Sequence, residues 1–231
     1  MEDVKRLYDE IYRRHKKNLP QIWHWPNEVE NYYLKNLVRK IKPKLILDAG
    51  CGVGLKLENL RDYNPFGFDY SFEGVKICKD EGFKVVQGSI HQIPFKSNTF
   101  DLVISFQVIQ YLSDLDLVKL AFIEVSRVLN KGGYFITVNY RLGGMLKERY
   151  MPVKENGRIV LSRWAFTVED YTNLARESNL KVVKIGTILN IKPKGIGRFP
   201  FLKGFYKFVD FGMFKLGFNR GLYLFGIFQK V

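Results

Sequence analysis

The middle of this chain reads as an α/β domain, a mostly parallel sheet with helices on both faces, and three observations predict it. Short apolar runs recur between residues 44 and 140, each followed by a polar or amphipathic stretch. Buried strands of that length alternating with helices form a parallel sheet covered on both sides. The first run leads into LILDAGCGVG (45–54), where three glycines at alternate positions let backbone come close to a ligand.

Taken in order, residues 1–43 precede the first strand and read as helical. KLILD (44–48) is the first strand and ends at the glycine loop. FGFD (66–69) is the second, and Ser71 beyond it is placed to cap a helix over 72–81. FKVVQG (83–88) and FDLVISF (100–106) are the third and fourth. Leu115, Val118, Phe122, Val125 and Leu129 then recur at helical spacing. Gly132-Gly133 reads as the stop of that helix and YFITVNY (134–140) as the fifth strand. Thr167–Ser178 reads as another helix, opened by a capping box of Thr167 and Asp170. LKVVKIGTIL (180–189) and GLYLFGIFQKV (221–231) complete seven strands.

At 231 residues and 46% hydrophobic content, the chain has enough apolar material for a well-packed globule. Cys51 and Cys78 are its two cysteines and form neither a CxxC pair nor a disulfide framework. The opening stretch MEDVKRLYDEIYRRHKK lacks the apolar centre of a secretory leader, and no window reaches the roughly 20 apolar residues of a membrane span. A cytoplasmic location is expected. The net charge of +14 is uneven: residues 1–44 carry 11 basic and 6 acidic groups, 45–140 carry 9 and 11, and 141–231 carry 17 and 6. Basic flanks draw anionic partners such as nucleic acid, acidic substrates or anionic lipid, or simply keep a lysine-rich surface soluble. No repeat or low-complexity linker interrupts the chain. The expected organisation is one domain over 1–231: a helical cap (1–43), a ligand-binding core (44–140) and a substrate-side region (141–231) with a Phe- and Lys-rich insert at 190–220.

The glycine loop narrows the ligand. A dinucleotide fingerprint wants a third glycine where Leu55 stands, and a phosphate loop wants a Gly-Lys-Ser/Thr that is missing. Asp48, two residues before the first glycine, would repel phosphates. It suits a ligand that carries an ammonium group and positive charge.

The run D-A-G-C-G-V-G resembles motif I of the class I S-adenosylmethionine-dependent methyltransferases, in the type 11 or UbiE-like group. The resemblance continues in order through Asp69 in GFDYS, GSIHQIPF (88–95), FDLVISFQVIQYL and EVSRVLNKGGYFITV, five motifs over about 95 residues. It implies a Rossmann-like, seven-stranded sheet with an antiparallel last strand, and S-adenosylmethionine as cofactor with S-adenosylhomocysteine as product. Carried onto this chain, it implies that Gly50, Cys51, Gly52 and Gly54 pass under the methionine part, with Asp48 on its amino group. Asp69 would hold the ribose hydroxyls and Tyr70 would pack on the adenine. Ser89 and Ile90 would meet the adenine edge, and Phe106 and Gln107 would close over the methionine side. Many relatives have Asp where Ser89 stands; a hydroxyl accepts more weakly than a carboxylate. Cys51 reads as a packing residue, since no basic neighbour activates it. His91 reads as a border of the adenine pocket.

Methyl transfer from a sulfonium asks mainly for collinear alignment in a dry pocket, and for a base when the acceptor is an alcohol. No cluster with metal-ligand spacing occurs in the sequence, so no metal is expected. The acceptor-side candidates are Trp23, His24, Trp25, Gln107, Tyr111, Tyr140 and Arg163, with His24 and Tyr140 as the catalytic candidates. WHWP (23–26) reads either as a staple fixing the N-terminal helices or as a lid with His24 as base. SRWAFTVEDY resembles small-molecule methyltransferases of glycan and lipid-sugar pathways. On a helical wheel of the segment 198–220, Phe201, Phe205, Phe208, Val209 and Leu216 share a face, with Lys203, Lys207 and Asp210 opposite. That segment suits packing on the sheet edge, a dimer contact, a membrane surface or RNA. Three functions follow: O-methylation of a small glycan, quinone or lipid-linked acceptor; modification of a tRNA wobble uridine; or a non-catalytic binder, which intact Asp48 and Asp69 argue against.

Overall fold

The computed structural model describes residues 2–15, 24–144, 146–155, 158–190 and 202–231. Nine strands occur among them: β1 (Ile46–Ala49), β2 (Phe66–Asp69), β3 (Lys84–Gln87), β4 (Phe100–Phe106), β5 (Leu129–Tyr140), β6 (Tyr150–Glu155), β7 (Arg158–Trp164), β8 (Leu180–Ile188) and β9 (Tyr223–Lys230). Seven of them form one sheet in the order β3-β2-β1-β4-β5-β9-β8. The strands β1 to β5 run parallel, and β9 is antiparallel to both of its neighbours. The expected sheet, with its antiparallel last strand, is the one found. Leu47 pairs with Phe66 on one side and Val103 on the other, so the order reverses at β1 and β4. A crevice at the strand ends of such a switch point is where open α/β sheets hold ligands.

The helices are α1 (Glu2–His15), α2 (His24–Ile41), α3 (Leu55–Asn59), α4 (Phe72–Asp80), α5 (Leu115–Val128), α6 (Val168–Glu177) and α7 (Lys203–Lys215). Their starts follow from local chemistry. The Ser71 hydroxyl accepts from the Gly74 N–H and caps α4, and Asp114 accepts from Leu117 N–H and caps α5. Thr167 and Asp170 complete the expected capping box of α6. Alternation along β4 divides the core: Val103 faces Phe122, Phe135 and Phe228, while Leu102 and Ile104 face Tyr33, Leu34 and Phe225.

Three departures from the sequence reading matter. Gly132-Gly133 does not stop a helix. The helix α5 ends at Val128, and Leu129 is already extended and paired with Phe100; the next register pair is Leu102 with Tyr134. A Cβ on Gly133 would lie 2.9 Å from the Asn130 carbonyl oxygen and 3.1 Å from that of Phe100, so the pair serves an irregularity inside β5. The antiparallel ribbon β6–β7, with Tyr150 opposite Trp164, was not anticipated. The third departure concerns α7, which seats its Lys203, Lys207 and Asp210 side on the body. Its Phe205 and Phe208 stand in solvent.

Candidate active site

The crevice beside β1 and β4 opens into a cavity of about 460 Å³ bounded by the glycine loop, β4, α1 and the start of α2. The loop turns back on β2, because the N–H groups of Gly50 and Cys51 both donate to the Phe68 carbonyl at 2.9 Å. Gly50 and Gly52 have φ of 87° and 53°, backbone that favours glycine. A Cβ on Gly50 would fall 2.3 Å from Val108 Cγ2, and one on Gly52 would fall 2.7 Å from the Tyr12 hydroxyl. Bare backbone is therefore what the cavity floor requires. Gly54 does not line the cavity: it faces Cys78 and Phe83 behind the loop.

Two carboxylates frame this floor. Asp48, at the end of β1, is 1% exposed, and its Oδ2 has no hydrogen-bond partner among the described residues. Burial pushes its carboxyl from 3.8 up to about 7; Lys56 pulls it down and the charge of Asp69 raises it. An unpartnered buried acceptor is costly unless a ligand completes it. Asp69, at the end of β2, accepts from Gly52 N–H at 2.7 Å and Ser71 N–H at 2.8 Å. Burial still raises it, to about 6, against those bonds.

A polar chain not foreseen from the sequence runs along the wall. Lys56 pairs with Glu30 at 2.7 Å and donates to Asn27 Oδ1 at 2.6 Å, both ends of the ion pair being buried. Gln107 donates to Glu30 Oε1 and accepts from Gln110, whose Oε1 takes the Tyr140 N–H. Gln107 itself sits at φ 62°, held there by its N–H bond to Val138. Such backbone in a non-glycine residue is stored strain of the kind found at ligand sites. These partners lie far apart in sequence, and no local signal would have joined them.

Tyrosines make the opposite wall. Tyr8 and Tyr12 of α1 have ring centroids 5.6 Å apart, Tyr8 meets Tyr111 at 5.8 Å, and the Tyr111 and Tyr140 hydroxyls are 3.2 Å apart. Tyr140 stacks on Tyr223 at 5.7 Å. Burial raises Tyr8, Tyr12, Tyr111, Tyr140 and Tyr223 above the ordinary phenol value, so all stay neutral. Tyr140 is thus a hydrogen-bonding group and not a base near neutral pH.

Of the residues expected at the site, Asp48, Gly50, Cys51, Gly52, Asp69, Tyr70, Ser89, Ile90, Phe106, Gln107, Tyr111, Tyr140 and His24 line this cavity. His24 opens α2 at the exposed rim. Trp25 turns instead into the core beneath α2, and Trp23 lies outside the described residues. Arg163, on β7, does not line the cavity, but its charge reaches Tyr140 and Tyr223, which do; its buried Nε has no partner among the described residues. The Ser89 hydroxyl meets His91 Nδ1 at 2.8 Å. With the His91 proton on Nε2, Ser89 donates to Nδ1 and keeps its lone pairs for a ligand. Hydrogen bonding to Cys78 and burial push the Cys51 thiol well above its usual value, which makes it a packing residue. A helical lid or cap over residues 1–43 is the expectation from sequence; the part of Tyr8 and Tyr12 of α1 in lining the cavity is not.

The geometry agrees with what comparison with known proteins finds. Residues 47–137 match the family model of a methyltransferase domain. An uncharacterized protein of Methanocaldococcus jannaschii is 29% identical over 152 residues, 64% of this chain and 65% of that protein; a second from the same organism is covered to 60%. The chain therefore spans somewhat less than two thirds of these relatives. A tRNA (carboxymethyluridine(34)-5-O)-methyltransferase of Arabidopsis thaliana is 31% identical over 58% of this chain and 31% of its own. A malonyl-[acyl-carrier protein] O-methyltransferase of Legionella pneumophila is 36% identical over 41% of this chain and 35% of its own. Among solved structures, a Thermotoga maritima S-adenosylmethionine-dependent methyltransferase superposes with a TM-score of 0.67 over 99% of this chain and 100% of its own, at 16% identity, a likeness of fold. The motifs and sheet order agree with both findings: residues 47–137 match a methyltransferase domain, and the chain has the Rossmann-like fold of the S-adenosylmethionine-dependent methyltransferases.

Proposed function

We propose that the protein transfers the methyl group of S-adenosylmethionine to an oxygen of a small molecule, a glycan, quinone or lipid-linked acceptor. The observation that carries the reading is Asp48, a buried carboxylate with a free oxygen at the head of a bare glycine floor. That donor set fits an ammonium group and a cationic ligand, and two further acceptors, Asp69 and Ser89, stand along the same wall. S-adenosylmethionine supplies a methyl group on a positively charged sulfur, so the protein's part is placement. Asp48 holds the amino end, Asp69 the ribose and Ser89 the adenine edge. The Lys56–Glu30–Gln107 chain fixes the wall at which methyl and acceptor meet, and α1 excludes water.

On the acceptor side the neutral tyrosines Tyr8, Tyr111, Tyr140 and Tyr223 orient a polar atom without competing for the methyl group. His24, at the rim, takes the proton when the acceptor is an alcohol. Arg163 behind Tyr140 and Tyr223 favours an acceptor with negative charge. The Arabidopsis and Legionella relatives are named for methylation of oxygen, while the Thermotoga protein, alike in fold alone, is named a possible histamine N-methyltransferase. A tRNA wobble uridine is the second reading, supported by the Arabidopsis relative and by the basic flanks. Release of S-adenosylhomocysteine, measured across small-molecule, glycan, lipid and tRNA pools with Asp69→Ala as blank, tests both. Release from the tRNA pool alone selects the second, and release equal to the blank from every pool refutes the proposal.

A further inference from the structure

Helix α7 packs one apolar side on the core and turns a second outward. Its core side carries Asp210, which accepts from the Tyr33 hydroxyl at 2.8 Å and from the N–H groups of Leu189 and Asn190 at 3.1 and 2.7 Å. Phe211 and Phe214 pack beside it on Tyr33. The outward side carries Phe205 and Phe208, which are 62% and 65% exposed, and Leu216 follows on the same face at 80%. Positions 205, 208 and 216 fall on one stripe of a helix, with Gly212 between them, so the two rings and Leu216 mark one side of α7 as an apolar ridge. Phe218 adds a fourth apolar group just past the helix, at 49%. Large apolar side chains gathered on one surface mark an interaction site, whereas the same residues scattered singly would not.

Charge selects the partner. Residues 191–220 contain Lys192, Lys194, Arg198, Lys203, Lys207, Lys215 and Arg220 against one acid, Asp210. That acid is buried at 2% and turned inward, so among the described residues 202–220 the ionised groups left at the surface are the cations Lys203, Lys207, Lys215 and Arg220. Lys215 and Arg220 stand exposed beside the ridge. Phenylalanines flanked by cations, with no acid between, complement an anionic lipid surface, where rings enter the headgroup boundary and cations meet phosphates. No described helix is long and apolar enough to cross a membrane, so this contact is peripheral.

The inward side of the same helix adjoins the candidate active site. Lys203 and Lys207 reach Glu28 at 2.8 and 3.4 Å, and Glu28 lines the cavity. We infer that α7 docks the protein on anionic membrane surfaces through Phe205, Phe208 and Leu216, bringing the cavity rim to the bilayer. This docking is independent of which molecule is methylated, or whether any is.

The test is co-sedimentation of the full chain with vesicles of phosphatidylcholine alone or with about one third phosphatidylglycerol. Wild type is expected to bind the anionic vesicles and release severalfold when NaCl rises from about 0.1 to about 0.5 M. Phe205→Ser/Phe208→Ser should lose roughly tenfold or more in partitioning while keeping its melting temperature and cofactor affinity. Lys215→Glu/Arg220→Glu should lose binding to anionic vesicles specifically. Equal partitioning of wild type and the Phe205/Phe208 variant overturns the inference. So does a dimer, or a tRNA complex, that the same variant abolishes in a chain that ignores vesicles.

Discussion

Replacing Asp48 by Asn separates the cost of this carboxylate from its use, because the two have opposite signs. Burial lifts Asp48 from 3.8 to about 7, which places on the order of 4 kcal/mol against the ionised form in the ligand-free protein. A raised acid binds more protons folded than unfolded. Its contribution to stability is therefore full below its unfolded value and is lost as pH rises through about 7. At pH 8 the wild type bears that cost and the amide does not. Burying an incompletely bonded amide returns part of the gain, leaving about 2 kcal/mol, or roughly 4–8 °C for a chain of this size.

Binding should move the other way. Losing one charge-assisted bond to the ligand's ammonium group costs about 1.5–3 kcal/mol, roughly 10- to 150-fold in affinity. Between pH 7.5 and 6 the ionised fraction of a group titrating near 7 falls about eightfold, and wild-type affinity should fall with it. Calorimetric titration with S-adenosylmethionine and S-adenosylhomocysteine, paired with thermal melts of the free protein, reads both quantities. Asp48→Asn should bind weakly, melt higher at pH 8 and lose the eightfold slope. A variant that binds like the wild type, or that keeps the slope, refutes the role given to Asp48.

Other expectations are quicker to state. Asp69→Ala should abolish measurable cofactor binding, whereas Ser89→Ala should weaken it modestly, since a neutral hydroxyl is the weaker acceptor; calorimetry separates the two. Lys56→Met leaves Glu30 charged and buried, and should cost about 3–5 kcal/mol in a denaturant titration. Adding Glu30→Gln should recover much of that loss. His24→Ala should cut turnover on an alcohol acceptor by roughly tenfold or more and leave cofactor affinity unchanged. Unchanged turnover removes His24 from the chemistry.

What could be read from the chain was local. Ser71 and Thr167 announce their helices because a cap needs only its own third neighbour. Asp48, Asp69 and the glycines announce the floor because all sit at strand ends already fixed by apolar runs. What escaped depends on contacts between distant residues. Periodicity shows that α1 is a helix, but not that Tyr8 and Tyr12 will lie over the glycine loop. It finds the Phe205–Phe208 stripe of α7 too, yet not its outward direction, which is set by Tyr33, Leu189 and Asn190 claiming Asp210. The ribbon β6–β7 is different: Asn156-Gly157 is a hairpin signal present in the sequence itself. Gly132-Gly133 misled because a helix stop and a strand irregularity ask for the same residue.

The grip of α1 on the body has a kinetic consequence. Besides its tyrosines, α1 is held by Asp9, which takes the Ser71 hydroxyl and the Glu73 N–H, and by Arg13 on Glu73 at 3.0 Å. Those contacts fall on the first turn of α4, directly after Asp69. Tyr8 and Tyr12 line the cavity over the glycine loop, so a ligand on the floor lies against α1. Contacts that hold α1 down should therefore lengthen the ligand's residence time. Amide hydrogen exchange in α1 should slow in step with ligand dissociation.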